Sequence, residues 1–175
     1  MADGTYGIGD VIPITVIFDE PVIVAGTGTP QLTLETSCFS DAVVNYSSGS
    51  GTTTLTFNYT IGSGDKSSDL NYTSTSALGL NGGTIKDEAG NSATLTLPDD
   101  GNSLGGNKSI VVDGGATTIL VRNSADPGNS DFTSIQSAIN ASCSGDIIFV
   151  YSGTFGTYSE HLTITDKIVT ILSEY

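Results

Sequence analysis

Apolar residues that alternate with polar ones constrain the first half of the chain more than any other feature of the sequence. The alternating positions are Ile12, Ile14, Val16 and Phe18, then Leu32 and Leu34, Leu55 and Phe57, and Leu95 and Leu97. A spacing of two with one apolar face predicts half-buried strands, and turns such as Asn81-Gly82-Gly83 separate the runs. Because each sheet must cover its apolar face, about seven such strands predict a sandwich of two antiparallel sheets.

The composition supports an all-β chain and excludes one class of partner. Gly is abundant at 22 residues and Trp is absent, which suits short strands joined by tight turns. Only 5 Lys and Arg residues stand against 19 Asp and Glu residues, and the net charge of −14 repels the phosphates of nucleic acids. Since no apolar run approaches the length of a membrane span, the sequence predicts neither nucleic-acid binding nor membrane insertion.

Motifs in the first half follow an order that is typical of one repeat family. They are Asp3-Gly4-Thr5-Tyr6, Phe18-Asp19-Glu20-Pro21-Val22, Pro30-Gln31-Leu32-Thr33-Leu34, Leu55-Thr56-Phe57, Asp87-Glu88-Ala89-Gly90-Asn91 and Ile110-Val111-Val112-Asp113. Through these motifs residues 3 to 113 resemble a bacterial and archaeal Ig-like repeat, which occurs in tandem in secreted adhesins and surface proteins. The resemblance implies an Ig-like antiparallel β-sandwich over residues 1–113 of an extracellular or cell-surface protein. Its partners would be neighbouring repeats or other copies of itself.

The second half of the chain changes from alternation to a helical stripe followed by apolar runs. The stripe consists of Phe132, Ile135, Ala138 and Ile139, whose spacing predicts one helix over about residues 131–142. Ser130 or Asp131 is available as its N-cap. Short strands are predicted at residues 118–121, 147–151, 162–164 and 168–172, where Val, Ile and Leu are concentrated.

This order of elements resembles the amino-terminal start of a pectin-lyase-like right-handed β-helix. The resemblance rests on Phe132-Thr133-Ser134-Ile135-Gln136-Ser137-Ala138-Ile139, Gly145-Asp146-Ile147-Ile148-Phe149-Val150 and Lys167-Ile168-Val169-Thr170-Ile171. It implies that residues 114–175 form a short, incomplete parallel β-helix whose first end is capped by the helix. A coil takes roughly 20 to 30 residues, so the segment holds about two coils and leaves its far end open.

Acidic and amide residues at the predicted turns and at the module boundary make calcium the candidate cofactor. The residues are Asp3, Asp10, Glu20, Asp87, Asn91 and Asp113. Carboxylate and amide oxygens suit Ca²⁺, a hard cation, although the spacing of an EF-hand is absent. The alternative interpretation is that these residues are solvated turn residues on an acidic surface.

Two further kinds of covalent modification are suggested by short motifs. Asn-x-Ser/Thr triplets make N-glycosylation acceptors of Asn45, Asn58, Asn71, Asn107 and Asn140, although a chain rich in Ser and Thr also produces them by chance. Cys38 and Cys143 lack the spacing of a zinc or redox motif. They are either a disulfide pair between the two halves or two buried thiols, because separation in sequence does not define the geometry of a disulfide.

The sequence predicts a non-enzymatic structural or adhesive module, with the option that copies assemble into a filament through the open β edge. Catalytic residues are not expected, because the resemblance implies that β-helix lyases and hydrolases carry theirs on later coils. The single histidine, His161, is interpreted as a surface residue. The alternative is the amino-terminal part of a carbohydrate-active β-helix protein with its catalytic coils missing. Glycan binding by the sandwich ranks last, since Trp is absent.

Overall fold

The computed structural model describes residues 2–37, 40–99, 101–122, 131–151, 161–165 and 167–173. The chain divides into two compact units, Met1–Gly114 and Gly115–Tyr175. Each unit has its own cluster of buried apolar side chains. The fold is mostly β and contains both antiparallel and parallel strand pairs.

The first unit consists of ten strands and one short helix among its described residues. They are β1 (Gly4–Gly7), β2 (Val11–Gly26), β3 (Gln31–Glu35), β4 (Ala42–Ser48), β5 (Thr52–Thr60), β6 (Lys66–Ser67), β7 (Asn71–Tyr72), β8 (Leu78–Gly79), β9 (Gly83–Lys86), α1 (Leu104–Asn107) and β10 (Ile110–Asp113). A seven-stranded antiparallel sheet has the order β7-β3-β4-β5-β2-β9, with β8 also paired to β3. A smaller mixed sheet has the order β1-β10-β6, in which β1 and β10 are parallel.

The alternation in sequence becomes the alternation between core and surface in the long strands. Ile12 and Ile14 of β2 and Leu55 and Phe57 of β5 are buried, whereas their neighbours face outward or are half-buried. The register of β2 against β5 shifts between Ile17 and Val22. Beyond this bulge the strand pairs with β9, so that β2 has different neighbours along its two halves.

The second unit is built on three parallel strands stacked in chain order. They are β11 (Thr118–Val121), β12 (Ile147–Val150) and β13 (Thr170–Ser173), and α2 (Ile135–Ala141) lies between the first two along the chain. The register is continuous, so that Ile119 pairs with Ile148 and Ile148 with Ile171. Ile135, Ala138 and Ile139 of α2 are buried in the same core cluster as the inner strands.

The helix content differs from the prediction of a single helix. Among the described residues α1 is a second helix, one turn long, in which the buried Ser103 hydroxyl accepts the N–H of Gly106. Two of its four residues are Gly, which disfavours helix, so propensity gave no signal for it. The predicted helix begins at Ile135 with Ser134 as its N-cap, because Ser134 Oγ accepts the N–H of Ser137. Of the two predicted caps, Asp131 instead accepts the Leu120 N–H, and Ser130 lies outside the described residues.

Two of the predicted strands are absent from the described ladders. The stretch around Leu95 and Leu97 alternates in burial, but the Leu97 N–H donates to a loop carbonyl, Thr75 O, at 2.8 Å. The stretch 162–164 is not a strand, because the backbone of Thr163 is engaged by a side chain. The Gln136 amide accepts the Thr163 N–H at 2.7 Å and donates to the Thr163 carbonyl at 3.0 Å.

Candidate functional site

The outer edge of β13 is the most exposed strand edge of the second unit. On its inner side the Thr170 N–H donates to Asp146 O at 3.0 Å, which directs the backbone of Thr170 toward β12. Backbone groups in a strand alternate between its two sides, so those of Ile171 and Ser173 face outward. In the part of the chain that the structure describes, no strand pairs with this outer side.

The side chains on this edge continue the apolar columns of the inner strands. One column runs through Ile119, Ile148 and Ile171, and the exposed fraction rises from 4% and 0% for the first two to 38% for the third. Leu172 is likewise 45% exposed. The increase follows from the position of β13 at the end of the stack, where no further described strand covers its side chains.

The opposite edge of the same sheet, along β11, is closed by the chain itself. The Leu120 N–H donates to the Asp131 carboxylate at 2.9 Å. The Leu120 carbonyl accepts the N–H groups of Asp131 and Phe132 at 3.0 and 3.1 Å, and the Arg122 N–H donates to Phe132 O. Among the described residues the two edges of the ladder therefore differ: Leu120 and Arg122 at the β11 edge are hydrogen-bonded to residues 131–132, whereas no strand pairs with the outer side of β13.

The residues proposed to bind calcium are dispersed over several turns. Asp3 accepts the Ser109 N–H and lies 4.0 Å from Lys108, while Asp113 lies 3.9 Å from Lys66. Asp10 closes its own turn through the Gly7 N–H. Within the described ranges, no group of three or more His, Cys, Asp or Glu side chains is placed to hold a metal ion. Calcium binding stays a prediction.

Asp87 and Asn91 do come together, in a self-contained loop after β9. The Asp87 carboxylate accepts the side-chain amide of Asn91 at 2.6 Å and its backbone N–H at 2.7 Å. These hydrogen bonds, with the side-chain bond largest, lower the pKa of Asp87. Glu20 lines the same cavity as this pair, with Asp19 beside it. Two carboxylates of β2 and one of this loop therefore line the same cavity of the first unit.

Buried polar contacts elsewhere in the first unit centre on Tyr59. Its hydroxyl donates to Asp65 Oδ2 at 2.6 Å, and the same oxygen accepts the Gly62 N–H at 2.8 Å. Burial of the ring, and then the carboxylate beside the hydroxyl, raise the pKa of Tyr59 well above its usual range. The contact fixes the turn after β5, and nothing about it suggests a reaction.

The five predicted glycosylation sites differ in how they present the side-chain nitrogen. Asn71 is half-buried, and its Nδ2 donates to Ser103 Oγ at 3.1 Å. Asn58 and Asn107 are exposed but donate to Ser47 Oγ and Ser103 O. The other two, Asn45 and Asn140, are exposed and use their Oδ1 as acceptors, for Gln31 and Gln136 respectively. Whether any is modified stays a prediction.

Of the two cysteines, Cys143 is buried beside α2, where its N–H donates to Asp146 at 2.8 Å. Cys38 lies outside the described residues. Pairing of the two therefore stays a prediction, which mass spectrometry after alkylation without reduction would check. The candidate surface residue His161 is exposed.

Three polar residues that sequence analysis did not single out organise the second unit. The buried Asp146 carboxylate accepts the N–H groups of Thr117 and Cys143, at 3.0 and 2.8 Å. Lys167 donates to three carbonyls at the carboxyl end of α2, those of Ile139, Asn140 and Ser142. The third residue is Gln136, whose side-chain amide bonds the backbone N–H and carbonyl of Thr163. The only available signal was their position directly before or within apolar runs, which does not identify a partner.

Comparison with known proteins adds no relative. No protein-family model, curated protein or solved structure matches the chain. In the described part of the chain, no helix is both long and apolar enough to cross a membrane.

Proposed function

We propose that the chain is a non-enzymatic structural module of an extracellular or cell-surface protein. In this proposal the first unit is an Ig-like β-sandwich spacer and the second is the start of a right-handed β-helix. The interaction surface is the outer edge of β13, which pairs with a further strand. The single observation that carries the proposal is the ladder β11-β12-β13, parallel and in continuous register, with one edge closed and the other open.

The ladder supports a coil-by-coil architecture because its strands stack in the order of the chain. Between equivalent positions of successive strands lie roughly 20 to 30 residues, which is the usual length of one solenoid repeat. A solenoid repeat cannot bury its apolar face alone and needs the next repeat to cover it. The exposed Ile171 is the position at which the next repeat would continue the core column.

The closed edge of β11 limits how copies of the chain can meet through this sheet. A head-to-tail stack would join the β13 edge of one copy to the β11 edge of another, but the β11 edge already bonds Asp131 and Phe132. Two β13 edges can meet about a two-fold axis instead, which closes at a dimer. Growth of a filament then needs a second contact elsewhere on the molecule.

The experiment is light scattering coupled to size-exclusion chromatography, with electron microscopy of the same samples. The protein is measured in millimolar CaCl₂ and again with excess chelator. We expect concentration-dependent dimers or larger assemblies, and dependence on calcium would indicate that the carboxylates contribute to the contact. A monomer under both conditions at high concentration would reject self-assembly through β13.

A matched pair of variants tests whether the core column is the contact. Ile171→Glu places a charge in the column that a further strand must bury, and we expect it to abolish assembly. Thr170→Glu adds the same charge to the same strand but on the other face, next to the exposed Thr118 column, and we expect assembly to persist. Equal loss in both variants would indicate general charge repulsion rather than a stacking contact.

The second candidate function is the front end of a carbohydrate-active β-helix protein. The same open edge favours it, since a further coil of a longer chain would cover β13 just as a second copy would. A chain extended by its own following coils would then stay monomeric and lose the exposure of Ile171. Hydrolysis or lyase activity toward acidic polysaccharides in that longer chain would support this candidate over a spacer.

A further inference from the structure

A groove follows the outer edge of β2 in the first unit. Two cavities of about 350 and 450 Å³ adjoin there, and Ile17 lines both of them. The smaller one reaches the core residues Ile14 and Leu97. The larger one is lined by the carboxylates of Asp19, Glu20 and Asp87. This β2 groove, between Ile14–Val22 and residues 91–98, is therefore apolar at one end and acidic at the other.

The strand that forms one wall of the β2 groove has an unpaired side. Residues Val11–Ile17 pair with β5 on one side, whereas β9 pairs only with Ile23–Gly26. Pro13 stands in the first stretch and has no N–H, which places it where the backbone points away from the partner strand. By the alternation of an antiparallel pair, the backbone groups of Thr15 and Ile17 point away from β5 as well.

The opposite wall, residues 91–98, does not pair with this edge. Ala93 and Leu97 give their N–H groups to Ile85 O and Thr75 O, so the wall is held by other parts of the unit. In the described ranges no strand pairs with the outer side of Val11–Ile17. Ile17, at 75% exposed, remains one of the most exposed large apolar side chains of the chain.

We propose that the β2 groove binds an extended segment of a partner protein, which adds a strand along Val11–Ile17. Its alternate apolar side chains lie over Ile14 and Leu97 on the inner face of β2, and a Lys or Arg at one end meets Asp19, Glu20 and Asp87. Addition of a strand to a sheet edge draws affinity from backbone hydrogen bonds and specificity from the side-chain pockets.

Charge complementarity selects the partner. A segment that ends in a cation is attracted to the acidic end of the groove, whereas this chain carries a net charge of −14 with 5 Lys and Arg residues. A second copy is therefore disfavoured as the occupant. The inference goes beyond the β13 edge, and each of the two proposals can fail without the other.

The test uses isotope-labelled protein and two synthetic peptides, because the direction of the added strand is open. The peptides are acetyl-Lys-Lys-Val-Thr-Val-Thr-Val-amide and acetyl-Val-Thr-Val-Thr-Val-Lys-Lys-amide. We expect one of them to shift the amide resonances of Thr15 and Ile17 and of the cavity lining, with saturation. Absence of shifts with both peptides at millimolar concentration would overturn the proposal, as would shifts confined to β13.

Matched variants separate strand addition from non-specific attraction. Thr15→Pro removes an outward N–H at a position equivalent to that of the native Pro13, and we expect affinity to fall about tenfold. Thr15→Val keeps the N–H and should bind as the parent does. Equal affinities in the two variants would overturn the proposal. If Thr15→Pro fails to fold, a peptide with its central amides N-methylated removes the reciprocal bonds, from the peptide N–H groups to the outward carbonyls of Thr15 and Ile17, and should likewise bind more weakly.

Substitutions of the carboxylates test the contribution of the acidic end of the β2 groove. Asp19→Asn combined with Glu20→Gln should weaken binding of the lysine-bearing peptide about fivefold. Asp41→Asn, a neutralised exposed carboxylate that lines neither cavity, should leave binding unchanged. Equal weakening by both changes would assign the attraction to net charge and overturn the contact of the peptide lysines with Asp19 and Glu20.

Discussion

The two units satisfy their backbone polar groups in different ways. In the first unit most neighbouring strands run antiparallel, and short turns join some of them, as where the Thr52 N–H donates to Gly49 O between β4 and β5. In the second unit the strands are parallel, so the chain must cross back between them. The backbone of the described crossovers is held by single side chains, chiefly Asp146, Lys167 and Gln136. The stability of the second unit therefore depends more on individual polar side chains than that of the first.

The largest expected effect is that of Asp146→Ala. The change leaves the N–H groups of Thr117 and Cys143 without their acceptor in a buried place, which costs about 3 kcal/mol of the free energy of unfolding of the second unit. Hydrogen exchange of the β11 and β12 amides measures the loss, while exchange in β5 should not change. Faster exchange in both units to the same extent would contradict the comparison.

Lys167→Met should have the next largest effect. The ammonium group bonds three carbonyls at the carboxyl end of α2, where helices leave acceptors without partners. Met keeps the length of the side chain and removes the donors, so we expect a loss of about 2 kcal/mol from the second unit. Chemical denaturation followed by far-ultraviolet circular dichroism measures it. Lys86→Met, at a strand position in the first unit, is the matched control and should change stability little.

Asp131→Ala should cost about 1 kcal/mol, because it removes the acceptor of the Leu120 N–H while the Leu120 carbonyl keeps its partners. Its second consequence is a partly open β11 edge. If closure of this edge blocks head-to-tail stacking, the variant should form larger assemblies than the parent in light scattering. A variant that is less stable yet assembles identically would show that the β11 edge does not limit growth.

The smallest effect at neutral pH is expected for Tyr59→Phe in the first unit, below about 1 kcal/mol, since Asp65 keeps the Gly62 N–H. The difference in the pH dependence of the free energy of unfolding between the parent and Tyr59→Phe appears at alkaline pH. The pKa of Tyr59 is raised in the folded state, so the unfolded chain loses its proton first, from the ordinary value of 10.0 upward. Stability present below pH 10 is then lost by about 1.4 kcal/mol per pH unit. Denaturation from pH 9 to 11 should show a shallower decline in Tyr59→Phe, and parallel curves would contradict the assignment.

Strands could be predicted from the sequence where neighbouring strands bond the backbone, and not where side chains or loops do. Period-two runs in β2, β3 and β5 predicted strands, because half-buried strands bear the alternation directly. The mostly β fold is confirmed. The stretches around Leu97 and Thr163 carry equally apolar residues but lack strand partners, since a loop carbonyl and the Gln136 side chain take their backbone groups. The spacing of apolar residues does not show which group forms hydrogen bonds with the backbone.

The edges and sites were the least predictable features. Asp131 caps an edge rather than a helix, and a helical stripe in sequence does not distinguish these roles. The six candidate calcium ligands were chosen because they lie at turns, yet turns of one chain need not converge. Asp3 and Asp113 lie beside lysines, whereas Asp87 is bonded to Asn91. The unpaired side of β2 depends on strand order, which the sequence does not contain.

We propose that another strand pairs with the outer side of β13 and continues the apolar column through Ile171. Sedimentation velocity of the parent, Ile171→Glu and Thr170→Glu proteins over a wide concentration range tests it most directly. We expect reversible association of the parent and of Thr170→Glu, and a monomer for Ile171→Glu at every concentration. A parent protein that stays monomeric throughout, or an Ile171→Glu variant that associates as the parent does, would contradict it.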